Sequence, residues 1–299
     1  MDSFEGRVGV VTGTANRRGI GFAICRHLAE LGCKLVLADI DGEGAEARAK
    51  DLVASGADAV AIRTDMSDHG SVERLAAETY DRFGATHVLV LNHVAAPVGP
   101  GQGLLTPEPG LWELAIRVNL LGVVYGIKAF VPRMITGGEH GHVLATTSGA
   151  GASGTMYGNG PYAVTKAGIT SVMECLYGQL RDAKADIVAG LIFPPLTNTF
   201  PTDESSDMVL QMMRTSGVPV AMAQPDEVAA FTVEAIRRDT FWAHPDVADD
   251  QRQTGGRHRE SIEWESALYR TRAETLINRS APDPYLWGPS NDVMSGATP

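Results

Sequence analysis

The first 195 residues alternate between short apolar runs and longer segments whose apolar positions recur at helical spacing. The runs predict strands at Val8–Thr12, Lys34–Asp39, Ala59–Arg63, His87–Leu91, His142–Thr146 and Ile187–Phe193. The segments between them predict helices at Gly21–Leu31, Gly44–Ala54, Ser71–Phe83, Leu111–Met134 and Pro161–Asp182. The strands lack strict apolar/polar alternation, the pattern of strands buried on both faces. Strand and helix in regular succession predict right-handed βαβ units and a parallel sheet covered by helices on both sides. No Ser/Gly/Pro-rich linker interrupts this stretch, so residues 1–245 read as a single domain.

The pattern changes after Phe193. Residues 196–222 mix Thr, Asp, Ser and Met. Pro225–Arg238 predicts a helix, with proline at its start and acids in its first turn. Phe241–Ala243 predicts one more short strand. Residues 246–278 are charged and predict helix, and the tail from Ser280, with four prolines, Tyr285 and Trp287, predicts an extended arm. Residues 246–299 are thus expected to be a C-terminal helical extension and tail.

Composition narrows the function classes. Hydrophobic residues make up 44% and charged residues 20%, which argues against a disordered, fibrous or membrane-spanning chain. No apolar run approaches the roughly 18 residues of a membrane helix, and the first residues show no secretory signal. The formal charge of −11 repels phosphate backbones and anionic lipid, so neither nucleic acid nor membrane is an expected partner. Cys25, Cys33 and Cys175 are widely spaced and form no CxxC, which points to reduced thiols and a cytoplasmic protein. His140 and His142 flank Gly141 without a matching acid or cysteine cluster, so no metal site is expected. No G-x-S-x-G surrounds Ser148 or Ser153, which sets aside a serine hydrolase.

Three motifs carry chemistry. In VGVVTGTANRRGIGFAI the first strand runs into a glycine-bearing turn and then a helix. Gly13, Gly19 and Gly21 would let backbone approach a pyrophosphate at the helix N-terminus, where free amides and the dipole favour an anion. Asp39 ends the second strand, 20 residues beyond Gly19, where an acid holds the adenosine ribose hydroxyls. The second motif, YAVTK, puts Tyr162 and Lys166 one turn apart on a helix face. A free tyrosine has a pKa of about 10, and a nearby ammonium lowers it. Ser148, at the C-terminal end of the fifth strand, stands where parallel sheets bind ligands and can donate a hydrogen bond to a substrate oxygen.

Taken together, TGTANRRGIG (12–21), LADID (37–41), Asp65–Met66, LNHVAA (91–96), RVNLLG (117–122), TTSGA (146–150), YAVTK (162–166) and PPLTNT (194–199) resemble the short-chain dehydrogenase/reductase family over about residues 6–240. The resemblance implies a Rossmann-like doubly wound α/β fold and an NAD(P)-dependent oxidoreductase with the tetrad Asn119, Ser148, Tyr162 and Lys166. Tyr162 would be the acid/base on the substrate oxygen and Ser148 would orient that oxygen. Lys166 would hold the nicotinamide ribose and lower the tyrosine pKa, and Asn119 would anchor a water in a proton relay. Further cofactor contacts are implied for Gly13, Arg18, Gly19, Ile20, Gly21, Asp39, Asp65, Met66, Asn92, Pro194 and Thr199, with Thr197 in reserve for the carboxamide. The family also implies a homodimer or homotetramer built on the Leu111–Met134 and Pro161–Asp182 helices.

The chain departs from the family pattern in places. The glycine turn is G-x5-G-x-G, two residues longer than usual, LNHVAA lacks the usual glycine, and Pro194-Pro195 replaces Pro-Gly. His93, within that stretch, reads as packed or solvated rather than catalytic. Asp39 repels a 2′-phosphate and favours NAD, whereas Arg18 resembles the basic residue of NADP-dependent members; the charge argument favours NAD over NADP. Met208, Met212 and Met213 lie in the segment that lids the pocket in this family, and their bland reading is core packing. A bulky or aromatic secondary alcohol or ketone is the expected substrate, in loose similarity to aryl-ether Cα-dehydrogenases. The rival readings are a catalytically silent NAD(P)-binding regulator and a sugar-nucleotide epimerase or lyase. The intact tetrad weighs against the first, and the absence of a large C-terminal substrate domain against the second.

Overall fold

The computed structural model describes residues 1, 3–95, 104–105, 107–148, 160–200, 202–215 and 222–243, with the side chains of 209 and 212–215 left out. The expected extension 246–299, with Tyr285 and Trp287, lies outside the described residues, as do Ser153 and the side chains of Met212 and Met213.

Among the described residues, seven parallel strands form one sheet: β1 (Val8–Thr12), β2 (Lys34–Asp39), β3 (Ala59–Arg63), β4 (Val88–Leu91), β5 (Gly141–Thr146), β6 (Ile187–Ile192) and β7 (Trp242–Ala243). Their order across the sheet is β3-β2-β1-β4-β5-β6-β7, parallel throughout. β1, β4 and β5 are buried at every position, as strands covered on both faces must be. The chain runs outward from β1 to β3 and then crosses back to start the other half at β4. A crevice therefore opens at the carboxyl ends of β1 and β4, where doubly wound sheets bind ligands.

Among the described residues, eight helical segments cover the sheet: α1 (Ile20–Glu30), α2 (Gly42–Ala54), α3 (His69–Phe83), α4 (Pro109–Ala115), α5 (Gly122–Gly137), α6 (Gly160–Asp182), α7 (Asp203–Thr215) and α8 (Pro225–Arg237), with a π-helical turn, Ile116–Leu121, joining α4 to α5. Local signals set their ends. The Asp41 and Asp68 side chains accept backbone amides at the starts of α2 and α3, and Gly84 ends α3 at a φ of 75°. Pro225 opens α8, and Gln224 and Glu227 form a capping box there. Two apolar layers result. One packs α1, α2 and α8 on one face of the sheet around Ile24, Leu28, Leu35 and Ile236. The other packs α3, α5 and α6 on the opposite face around Leu75, Leu89, Phe130 and Met173.

The stretch Pro109–Gly137 holds an 18-residue window of mean hydropathy 1.6, long and apolar enough to span a membrane by composition. Its apolarity is used inside the fold instead: Val123, Ala129, Phe130, Val131 and Met134 are buried in the second layer. The expected Leu111–Met134 helix is interrupted by the π turn, and α7 occupies the region read from sequence only as a change of composition.

Candidate active site

The β1–α1 turn makes a cradle for an anion. Gly13 sits at a φ of 74°, a conformation costly for other residues, and a Cβ there would fall 2.9 Å from His93 Cα. A Cβ on Gly21 would fall 2.3 Å from the Gly13 carbonyl oxygen, so only glycine lets the helix approach the strand this closely. Gly19 is the N-cap of α1, with no capping side chain and no acid in the first turn. The amides that follow it, from Ile20 onward, therefore have no side-chain acceptor and suit a pyrophosphate. Asn92, at the end of β4, donates to the Thr12 and Gly13 carbonyls at 3.3 Å each and accepts from Thr146 Oγ1 at 3.0 Å, binding three strand ends together.

Asp39 closes β2 with its carboxylate leaning across the mouth of the turn, where Oδ2 accepts the Ala15 amide at 2.9 Å and Oδ1 the Asp41 amide at 3.0 Å. Arg18 points elsewhere. Its guanidinium pairs with Asp203 at 2.7 Å and Asn198 Oδ1 at 3.2 Å, tying the turn to the start of α7. Asn16 adds a bond to the Thr199 carbonyl at 2.9 Å. Asp65 accepts both the amide and the hydroxyl of Ser67 through Oδ1, while Met66 is buried against Gly122. Pro194 and Thr199 are half-buried beyond β6, and the Thr197 hydroxyl is turned into the Pro195 carbonyl at 2.7 Å. Met208 is 68% exposed, so the core-packing reading fails for it.

The chemistry-bearing side chains gather at the neighbouring strand end. Ser148 lies two residues beyond β5, and Tyr162 stands in the first turn of α6 with Lys166 one turn later. The Ser148 hydroxyl hydrogen-bonds the Tyr162 phenol. Lys166 Nζ lies 5.5 Å from the tyrosine ring centroid and donates to the Thr146 carbonyl at 2.7 Å. Burial dominates both groups in the protein alone. It disfavours phenolate and ammonium alike, raising the Tyr162 pKa and lowering that of Lys166 to about 7; the Ser148 bond pulls Tyr162 the other way. The phenol is thus raised by burial, opposed by the Ser148 bond, where a lowering by the lysine was expected. Thr147 Oγ1 donates to the Lys166 carbonyl at 3.0 Å and pins α6 to the strand end.

Asn119 sits inside the π turn, fully buried. Its carboxamide clamps the Ala95 peptide, accepting the amide at 2.7 Å and donating to the carbonyl at 2.9 Å, and it also donates to Thr165 Oγ1 at 3.2 Å. Thr165 in turn donates to the Tyr162 carbonyl at 2.8 Å. Thr165, Thr146, Thr147 and Thr12 were not singled out in the sequence; their signal is position, at strand ends or one turn from a motif residue.

The opposite, amino-terminal end of β5 corrects another expectation. His140 and His142 do have an acid partner, Asp239, 97 residues beyond His142 in sequence. His142 Nε2 lies 2.8 Å and His140 Nε2 3.2 Å from Asp239 Oδ1, and His140 Nδ1 lies 2.7 Å from Asp186. The Met1 ammonium donates to the same Asp239 oxygen at 3.1 Å.

Residues 7–210 match the family model of the short chain dehydrogenases. An uncharacterized oxidoreductase of Listeria innocua is 30% identical over 234 residues, 78% of this chain and 92% of its own. A C alpha-dehydrogenase of Sphingobium sp. is 33% identical over 175 residues, 58% of this chain and 55% of its own. A short-chain dehydrogenase/reductase from Burkholderia phymatum, solved in complex with NAD, superimposes with a TM-score of 0.72 at 29% identity, covering 95% of this chain and 99% of that one. A parallel doubly wound sheet, a glycine cradle at a helix N-terminus and a match over most of the chain lead to one conclusion: the protein belongs to the short-chain dehydrogenase family and is an NAD(P)-dependent oxidoreductase acting on alcohol or ketone groups.

Proposed function

We propose that this enzyme moves a hydride between NAD(H) and a bulky or aromatic secondary alcohol or its ketone, with Tyr162 as the acid/base. The observation that carries the reading is the cluster of Tyr162, Ser148 and Lys166 at the carboxyl end of β5, beside the glycine cradle. The dinucleotide supplies the hydride acceptor or donor when bound. In the oxidation direction the Tyr162 oxygen takes the alcohol proton as the carbon–hydrogen bond gives up its electron pair. In reduction the same oxygen returns the proton to the carbonyl. Ser148 donates to the substrate oxygen and holds it beside the phenol. Lys166, positioned by Thr146, supplies the positive charge that favours phenolate and holds the nicotinamide ribose. Asn119 holds the Ala95 loop and supports a water in the relay that returns the proton to solvent.

Gly13, Gly19, Ile20 and Gly21 would cradle the pyrophosphate and Asp39 the ribose hydroxyls. Asp65, Met66 and Asn92 would flank the adenosine side, and Pro194 and Thr199 the carboxamide. NAD is favoured over NADP because Asp39 faces the turn, while Arg18 is committed to Asp203. The aromatic substrate class rests on the C alpha-dehydrogenase relative and on an apolar, exposed Met208 at α7. In this reading residues 1–245 are one domain, and the three unpaired cysteines fit the cytoplasm.

We also propose self-association through α5 and α6. Their outer faces form an apolar groove of about 300 Å³ lined by Val124, Ile127, Val172, Cys175 and Leu176, and Leu121, Ile135 and Val164 are exposed nearby. Sedimentation should give a dimer or tetramer, and a Val172→Asp variant should lower that state. The functional test is an NADH absorbance screen of secondary alcohols and aryl ketones. Turnover of an aryl member supports the reading. NADH binding without turnover of any member would favour a silent nucleotide-binding protein.

A further inference from the structure

His93 is buried between the end of β4 and the π turn, and each ring nitrogen has a partner. Nε2 lies 3.1 Å from the Val118 carbonyl, which only accepts, so Nε2 carries the proton. Nδ1 then accepts from Thr12 Oγ1 at 2.8 Å. The Val118 carbonyl is open for a definite reason. The Gly122 amide bonds to Arg117, five residues back, instead of Val118, four back. The imidazole thus takes the carbonyl that the π turn releases. Gly122 makes room for it, since a Cβ there would fall 2.6 Å from His93 Nε2. Asn119, which clamps Ala95 and reaches Thr165, directly follows Val118.

We propose that His93 is a positioning residue for the reaction, holding the π turn through the Val118 carbonyl and so fixing Asn119, the Ala95 loop and Thr165 against Tyr162. The inference rests on the catalytic reading above and adds to it the residue that sets the turn. A ring held in this tautomer stays uncharged beside Lys166; burial and the lysine charge both depress its pKa, to about 3.

The test compares three variants of the full chain on the secondary alcohol that the screen turns over. His93→Leu fills the space without a donor and should lower kcat by about tenfold, with the KM for NAD within about twofold of wild type. His93→Gln keeps a donor at the reach of Nε2 and should restore kcat to within about threefold. His93→Asn reaches Thr12 and not Val118, should behave as the leucine variant, and replaces it if that chain does not fold. Imidazole ¹⁵N spectra should show the Nε2–H tautomer at neutral pH. Equal losses in the glutamine and leucine variants, an unchanged kcat in the leucine variant, a loss confined to KM, or the Nδ1–H tautomer would each overturn the proposal. Tyr162→Phe separates the two claims: if it retains turnover the catalytic reading fails, and if it is dead while His93→Leu is normal only the positioning role fails.

Discussion

Replacing Gly21 by alanine puts a methyl group into the tightest approach of the cofactor turn. The new Cβ would stand 2.3 Å from the Gly13 oxygen, 3.0 Å from the Gly13 carbon and 2.8 Å from Asn92 Nδ2. Two of these atoms are backbone, held at a φ of 74°, and the third belongs to a side chain bonded to two strand ends, so none yields cheaply. Moving the nearest atom from 2.3 Å to the 3.4 Å of ordinary contact opens the strand–helix junction by 1.1 Å. Overpacking of this kind costs about 1–3 kcal/mol. With the cofactor placed as proposed, the same displacement would move the α1 amides away from its pyrophosphate, and a loss of about 1.4 kcal/mol there would weaken binding tenfold. Urea unfolding and NADH fluorescence titration measure the two effects separately. The expected result is a stability loss of about 1–3 kcal/mol with a Kd raised at least about tenfold. Gly137→Ala is the control: the site is exposed, with nothing within 4 Å of the new methyl, and it should be neutral or up to about 0.5 kcal/mol stabilising. A Gly21→Ala protein with wild-type stability and wild-type NADH affinity would refute the close-approach argument.

Two further outcomes follow from the electrostatics. Asp39→Ala should raise the NADP-to-NAD ratio of kcat/KM by about tenfold or more, because it removes the charge facing a 2′-phosphate; an unchanged ratio would move the selection to the Arg17–Arg18 turn. Burial depresses His142 from its ordinary value to about 4, with His140 and the Met1 ammonium acting the same way and Asp239 against. The folded state thus binds a proton there less readily than the unfolded chain. That part of the stability is complete above about 6.5 and is lost as pH falls toward 4, about 3 kcal/mol in all. His142→Gln should flatten the acid limb of the stability profile measured by urea unfolding between those values, and an unchanged limb would remove His142 from the account.

The sheet was legible because its strands are apolar on both faces, and the predicted strand ends agree with the observed ones to within one residue. The glycine turn and the YAVTK helix were legible because their spacing is local. The π turn was not. A one-residue widening of the hydrogen-bond ring at Ile116–Leu121 leaves the apolar period of the helix almost unchanged. Helix α7 carried a signal that composition masked: Thr202 accepts the Ser205 amide, and Asp203 and Glu204 follow in the first turn. The Asp239 partner of His140 and His142 was beyond sequence reasoning, since only the stacking of β6 and β7 beside β5 brings it near. The pairing of Arg18 with Asp203 was not legible either, since it spans a separation no local pattern encodes.

The central claim is that the Tyr162 oxygen carries the proton of the reaction. A single-turnover measurement of NADH formation by Tyr162→Phe, with NADH affinity determined on the same preparation, tests it most directly. The account predicts a rate at least about a thousandfold below wild type with affinity within about threefold, since the ring and its surroundings stay while the oxygen goes. A phenylalanine variant that forms NADH at the wild-type rate would contradict it.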